Sequence, residues 1–301
     1  MRIAVVTTSW PSSEGDPDGH FVRAHARELV RDGHAVVVVT PEKGGAFGAP
    51  GVAARLAARP WRALDALSWT FEARRVVAGL AVDSVVAHWS VPCGWPVAVA
   101  APDADLALVS HGGDVRLLAA MPEMLRGPLV ERLARRARSW TFVSRALLDT
   151  LARALDGATR AHLERIARVE AAPIELPDVR AAIGRCRAAL GGARVAVCVA
   201  RLVRGKRLDR AIEHVARARD FDALVVVGDG PERNRLERLA RERGLNARFV
   251  GQVSRHEALG WIGAADALLH TSEAEGLSTV VREADALGTP VIRIGGRAEN
   301  E

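Results

Sequence analysis

The chain has 301 residues, 49% of them hydrophobic and 26% charged, the composition of a soluble globular protein with one or two domains. Its net charge of +6 is modest and its basic and acidic residues interleave as on solvated helix faces. That argues against a nucleic-acid partner and suits a phosphorylated ligand or an anionic membrane surface.

Only 4% of residues are aromatic and Tyr is absent, so the cores must be aliphatic. Lys43 and Lys206 are the only lysines, so Arg richness says little about any one partner while a single lysine stands out. Cys93, Cys186 and Cys198 are odd in number, far apart and without zinc-ligand spacing, which fits a reducing compartment. The start MRIAVVTTSW turns polar too soon for a signal peptide, and no apolar run approaches the length of a membrane span. A cytoplasmic protein is expected, with peripheral attachment to the inner membrane face as the variant.

The first strand is predicted at Ile3–Thr7, followed by a Pro/Gly/Asp loop from Pro11 to Gly19. Phe21, Val22, Ala26, Leu29 and Val30 then recur at helical spacing, and Gly33 stops the helix. Ala35–Thr40 is a second buried strand, which completes a βαβ unit and implies a parallel sheet. Further strands are predicted at Ser84–Ala87, Leu106–Ser110 and Trp140–Val143, with a helix at Leu129–Ala137 that Pro128 starts. After the Pro/Gly-marked stretch Glu170–Gly192 the pattern restarts. Strands are predicted at Val195–Ala200, Leu224–Val227, Arg248–Val250, Ala267–His270 and Pro290–Ile294, with helices at Leu208–Ala218, around Leu236–Ala240 and at His256–Ile262. Two doubly wound α/β domains follow, residues 1–176 and 177–301, with ligands expected in a cleft at the carboxyl ends of the strands.

Three features carry chemistry. Ser278 is placed to cap a helix running to Leu287, so the amides of Leu277, Ser278 and Thr279 would form an anion site. Glu275, beside Gly276 in the preceding loop, and Glu283 inside the helix are acids near that site, which suits them to hydroxyls rather than to the anion. The loop ARLVRGK carries Arg201, Arg204 and Lys206 just past a strand, where two converging cations fit a diphosphate. At an effective dielectric of about 20, a charge pair at about 4 Å interacts by about 4 kcal/mol. Two cations and a helix N-terminus could thus serve a leaving diphosphate as a metal ion does.

With these residues in view the chain resembles the group 1, or family 4, GT-B glycosyltransferases, which are retaining and use nucleotide-sugar donors. The stretches GDPDGHFVRAHARELVRDGHAV, VVAHWSVPCG, SHGGDVRLL, VARLVRGKRLDRAI, VVVGDGPERNRLERLA and FVGQVSRHEALGWIGAADALLHTSEAEGL occur in the family's order. The two glutamates with seven residues between them complete its best-known motif.

The resemblance implies roles at matching positions. Arg201 and Lys206 would grip the donor diphosphate, Glu283 the ribose hydroxyls, and Glu275 would face the transferred sugar. Leu277, Ser278 and Thr279 would give backbone donors, and Gly19 would admit backbone to the phosphates. His111 in SHGGD would line the sugar site, and Gln252 and Val253 would meet the nucleotide base. No cofactor or metal is expected; the nucleotide-diphosphate sugar is a substrate, and the acceptor is a glycan or glycolipid. Members usually continue well past the segment that here reads Gly295-Gly296-Arg297-Ala298-Glu299, so final elements of the C-terminal domain are expected to be missing. A truncated, inactive nucleotide-sugar binder and a GT-B sugar-nucleotide epimerase are the alternatives.

His20, Glu14 and Asp114 are weaker candidates. Asp103-Ala-Asp105 precedes a strand rather than following one and reads as a turn. Gly228-Asp229-Gly230 lacks the third glycine of a dinucleotide fingerprint. The run RLARRAR, Arg132–Arg138, reads as a solvated helix face, with lipid contact as the alternative.

Overall fold

The computed structural model describes residues 1–13, 15–16, 18–48, 52–272 and 278–295. The chain divides into two compact units. One runs from Met1 to Ser12 and from Asp18 to Pro173, and the other begins at Ile174. Ser13, Gly15 and Asp16 group with the second unit, where the amide of Arg255 donates to the Gly15 carbonyl at 2.7 Å. Nothing in the sequence pattern signals that excursion.

The first unit contains β1 (Arg2–Val6), α1 (His20–Arg31), β2 (Ala35–Val39), α2 (Val52–Ala58), α3 (Ala63–Gly79), β3 (Ser84–His88) and β4 (Asp105–Ser110). It continues with α4 (Gly113–Ala120), α5 (Glu123–Arg136), β5 (Ala137–Phe142), α6 (Arg145–Arg153), α7 (Gly157–Ile166) and β6 (Ala167–Val169). All its strand pairs are parallel, in the order β2-β1-β3-β4-β5-β6. Successive strand residues point to opposite faces. Ala4 and Val6 therefore pack with Val85, Ala87, Leu106 and Leu108 on one face, while Ile3 and Val5 pack with Val86, Val109 and the α1 residues Val22 and Ala26 on the other.

The second unit contains α8 (Arg180–Leu190), β7 (Val195–Val199), α9 (Leu208–Ala218), β8 (Ala223–Val227), α10 (Arg233–Glu242) and β9 (Ala247–Gly251). It ends with α11 (Arg255–Ala264), β10 (Ala267–His270), α12 (Thr279–Ala286) and β11 (Val291–Arg293). Its parallel sheet has the order β11-β10-β7-β8-β9, the doubly wound arrangement whose direction switches between β7 and β10. Val195, Val197, Val225 and Val227 pack with α8, α11 and α12; Ala196, Cys198, Leu224 and Val226 pack with α9 and α10.

Two expectations shift. The helix expected to start at Pro128 starts five residues earlier, at Glu123, and Pro128 lies inside it. The carbonyl that Pro128 leaves without an i+4 donor belongs to Met124, which is exposed and can be hydrated. The strand β6 is unforeseen, because its three residues have an edge position and little apolar patterning.

Candidate functional site

In the second unit, β7 and β10 are neighbours whose connections leave in opposite directions, so their carboxyl ends open a crevice. A pocket of about 20 Å³ lies there, lined by Cys198, Val199 and Ala200 from the end of β7 and by Leu269, His270, Thr271 and Ser272 from the end of β10. Lys206, Leu208, Ser278 and Val280 complete its wall. The Thr271 hydroxyl donates to the Lys206 carbonyl at 2.6 Å, fixing the lysine turn to the end of β10. Burial, followed by the charges of Lys206 and Arg293, pushes the pKa of His270 down to about 4. Arg201 is exposed at the head of the same loop. Ser278 takes the N-cap position of α12, yet its hydroxyl accepts no capping bond, contrary to the role expected for it. Glu275, Gly276 and Leu277 lie outside the described residues, as does Glu14.

The Gly228-Asp229-Gly230 turn has a structural role. Both glycines have positive φ, at 125° and 158°, and a Cβ would run into the Ala200 carbonyl from Gly228 or the Leu202 carbonyl from Gly230. The Leu202 amide donates to the Asp229 carbonyl at 2.9 Å, and the Glu232 amide donates to the Leu202 carbonyl at 3.0 Å. The turn is therefore the bed on which the Arg201–Lys206 loop rests.

Glu283 is buried on α12, where it meets Arg255 at the start of α11. Arg255 Nη2 and Nε donate to Glu283 Oε1 at 2.8 and 3.1 Å, and Nη2 also donates to the Glu175 carbonyl at 2.7 Å. Gln252 and Val253 lie between β9 and the Ser254 cap of α11, with Gln252 exposed and Val253 half-buried. Arg255 thus links the segment expected to meet the base with the acid expected to meet the ribose.

In the first unit, His111 follows β4, and its Nε2 lies 2.9 Å from Nδ1 of His88, the last residue of β3. Gly19 caps α1 with φ 72°, and a Cβ there would collide with the Ser9 carbonyl, so this position needs glycine for its own backbone packing. Asp114 is a buried hub. Its Oδ2 accepts from the Ser90 amide, the Ser90 hydroxyl and the Ser110 hydroxyl at 2.8, 2.9 and 2.7 Å, and its Oδ1 accepts from the Gly112 amide. Asp105 begins β4 and pairs with Arg138, consistent with a turn leading into a strand.

Two family models match the sequence of this chain. Glycosyltransferase Family 4 matches residues 19–167, and Glycosyl transferases group 1 matches residues 187–297. The chain belongs to the group 1, family 4 glycosyltransferases. It is similar to TuaC of Bacillus subtilis, a glycosyltransferase assigned to teichuronic acid biosynthesis, with 27% identity across 97% of this chain and 80% of TuaC. Similarity to the GDP-mannose-dependent α-(1-6)-phosphatidylinositol monomannoside mannosyltransferase of Mycobacterium tuberculosis is 29%, again over 97% of this chain and 80% of the relative. Among solved structures, Anabaena HepE in complex with UDP-glucose superposes with a TM-score of 0.65 at 18% identity, covering 97% of this chain and 80% of HepE, which places the fold as GT-B.

Three residues of this glycosyltransferase escaped the sequence reading. His270 carried a signal, since it ends the strand on one side of the switch. Arg255 carried none, because its partner lies 28 residues away. His88 sits in VVAHWSVPCG, but only the paired strand ends show that it touches His111.

Proposed function

We propose that this glycosyltransferase moves a sugar from a nucleoside-diphosphate donor to a glycan or glycolipid acceptor with retention at the anomeric carbon, and that protein cations rather than a metal neutralise the diphosphate. The observation that carries this reading is the meeting of the Lys206 turn and the N-terminus of α12 at the β7/β10 switch, where Lys206 and Ser278 line one small pocket. In that scheme Arg201, Lys206 and the amides of Ser278 and Thr279 hold the diphosphate. Glu283 binds the ribose, with Gln252 and Val253 at the base. Gly276, Leu277 and Glu275 serve phosphate and sugar, Gly19 admits the phosphates, and His111 lines the sugar. The bond between sugar C1 and the diphosphate oxygen breaks as the acceptor oxygen bonds C1, and the acceptor proton passes to the departing phosphate. Stabilising that leaving group is the main catalytic task.

Calorimetry across nucleotide-sugars, followed by transfer assays with and without a chelator, tests the reading. One donor should bind, its nucleotide should be released, the product should keep the donor's anomeric configuration, and the chelator should leave the rate unchanged. Inversion, or a rate abolished by the chelator, overturns the corresponding part.

A peripheral contact with an anionic lipid surface also has support, at a different place from the arginine run of the sequence reading. Leu64, Leu67 and Phe71 share one face of α3 at three- and four-residue spacing, and with Trp61 just before them they are 53–72% exposed. Arg59, Arg62 and Arg75 accompany this stripe, as does Arg74, which donates to the Pro96 carbonyl at 2.6 Å. In the run at 132–138, by contrast, Arg135 pairs with Glu131, Arg138 with Asp105, and Arg136 donates to the carbonyls of Ala101, Pro102 and Ala104. Among the described residues no helix is long and apolar enough to cross a membrane.

A further inference from the structure

Three histidines of the first unit form a string. His25 Nδ1 on α1 lies 3.1 Å from His88 Nε2, and His88 Nδ1 lies 2.9 Å from His111 Nε2. The His88 and His111 rings are parallel within 9°. Each contact needs one hydrogen and one lone pair. His88 is 1% exposed, and burial drives its pKa well below the ordinary value, so it stays neutral and brings a single hydrogen to two contacts. Burial likewise lowers the proton affinity of His111 and of His25.

Only two arrangements of neutral rings satisfy both contacts. In one, hydrogens run outward from His25: its Nδ1–H donates to His88, whose Nδ1–H donates to His111, leaving His111 with hydrogen on Nδ1. In the other they run inward from His111. Its Nε2–H donates to His88 Nδ1, His88 Nε2–H donates to His25 Nδ1, and His111 Nδ1 keeps its lone pair. Either way the outer nitrogen of His111 is decided by His25.

A carboxylate acts on each end of the string. Glu170, just past β6, acts on His25 and opposes the effect of burial. Asp114 acts in the same sense on His111, with its oxygens accepting from Ser90, Ser110 and Gly112. Arg116, on the same helix, lies beside Gly112. The Phe21 and Trp89 rings, at 4.7 and 5.0 Å from the His111 ring, box it without offering a competing acceptor.

We propose that His25 and His88 are positioning residues that lock His111 into one neutral tautomer, so that its outer nitrogen, Nδ1, offers a ligand hydroxyl a fixed hydrogen-bonding role. The identity of that hydroxyl as one on a sugar rests on the function proposed above; the tautomer lock does not.

Long-range ¹H–¹⁵N correlation spectra of the ¹⁵N-histidine-labelled, ligand-free protein test it near neutral pH. The wild type should show His111 as a single neutral tautomer. H25N keeps a polar group at the Nδ1 position and should preserve it, whereas H25F should convert His111 to a tautomer mixture. H25A should give the same mixture and decides the matter if H25F does not fold. A tautomer mixture in the wild type, or a His111 signal unmoved in folded H25F or H25A, overturns the proposal. In the transfer assay H25F should lower kcat by roughly 10–100-fold, the scale seen for orienting partners, with donor KM held within about twofold. Because the spectra need no donor, failure of the transfer reading and failure of the tautomer lock are separate results.

Discussion

Arg255 and Glu283 form a buried ion pair across the N-terminus of α11 and the body of α12, with two hydrogen bonds converging on one carboxylate oxygen at 2.8 and 3.1 Å. Their side chains are 8% and 9% exposed. Removing one partner of such a pair strands the other charge away from water, at a cost of about 3–5 kcal/mol. E283A should therefore lower stability by that order as well as weaken donor binding, and E283Q should fall between. Denaturant unfolding measures the first effect, and calorimetry under conditions where the variant is folded measures the second. A fully stable E283A would contradict the pairing; a stable or unstable variant with unchanged donor Kd would remove Glu283 from the site.

Lys206 reaches the pocket from a turn held by Thr271, and Arg201 heads the same loop. If they stabilise a leaving diphosphate, K206A and R201A should each lower kcat by roughly 10²–10³, by analogy with a lost oxyanion donor. K206A has a second readout that needs no substrate. The Lys206 charge helps hold the His270 pKa near 4, so its removal should raise that pKa, visible in an NMR titration of the His270 ring. An unmoved His270 with normal turnover would place the lysine outside the site.

Acidification should destabilise the protein through its histidines. His270 at about 4, and His88 and His25 with lowered values, all favour the neutral ring in the folded state. Above pH 6.5 both states are neutral and nothing is lost. As the pH falls below that, the unfolded chain takes up protons that the native chain does not. Stability should then drop by up to about 1.4 kcal/mol per pH unit for the buried His88, and by less for His25 and the part-exposed His270, which water screens, until the folded value is passed. Melting temperature against pH between 7 and 4 checks the slope, and H270Q should flatten it.

The buried strands were legible because two-sided burial makes them short apolar runs. Ala267–His270 appears with the bounds read from sequence, and β1, β2, β7 and β8 come within a residue at either end. Pairings between distant residues were not legible. The Arg255–Glu283 bond, the His25–His88–His111 string and the attachment of Gly15 to α11 depend on which strand ends and helix starts are neighbours, and no local pattern encodes that. The loop cations could be found because they follow a strand end. The glycines bedding them were set aside, since a glycine's reason lies in the backbone it touches.

Those glycines give a graded test. G228A places a methyl group against the Ala200 carbonyl at φ 125°, where an L-residue is strained in any case. The cost should reach about 1–3 kcal/mol from strain alone, with the loop displaced besides. G244A, at φ 61° with nothing within 4 Å, should cost about 1–2 kcal/mol and leave turnover unaffected. Equal losses of activity in the two variants, after correction for the folded fraction, would remove the Gly228 turn as the support of the Arg201–Lys206 loop.

The α3 stripe separates lipid contact from packing. Leu64, Leu67 and Phe71 are exposed, so replacing them with Asp should change stability by no more than about 0.5 kcal/mol per site. If the stripe enters a headgroup layer, L67D/F71D should abolish sedimentation with vesicles of mixed anionic and zwitterionic lipid. R62Q/R75Q should instead weaken it on anionic vesicles alone, by roughly 1 kcal/mol per charge removed. Neutralising Arg132 and Arg135 should leave binding unchanged, because both lie on α5 rather than on α3 and Arg135 is paired with Glu131 one turn before it. Wild-type protein that stays in the supernatant with anionic vesicles at low salt would show that this face has no lipid partner.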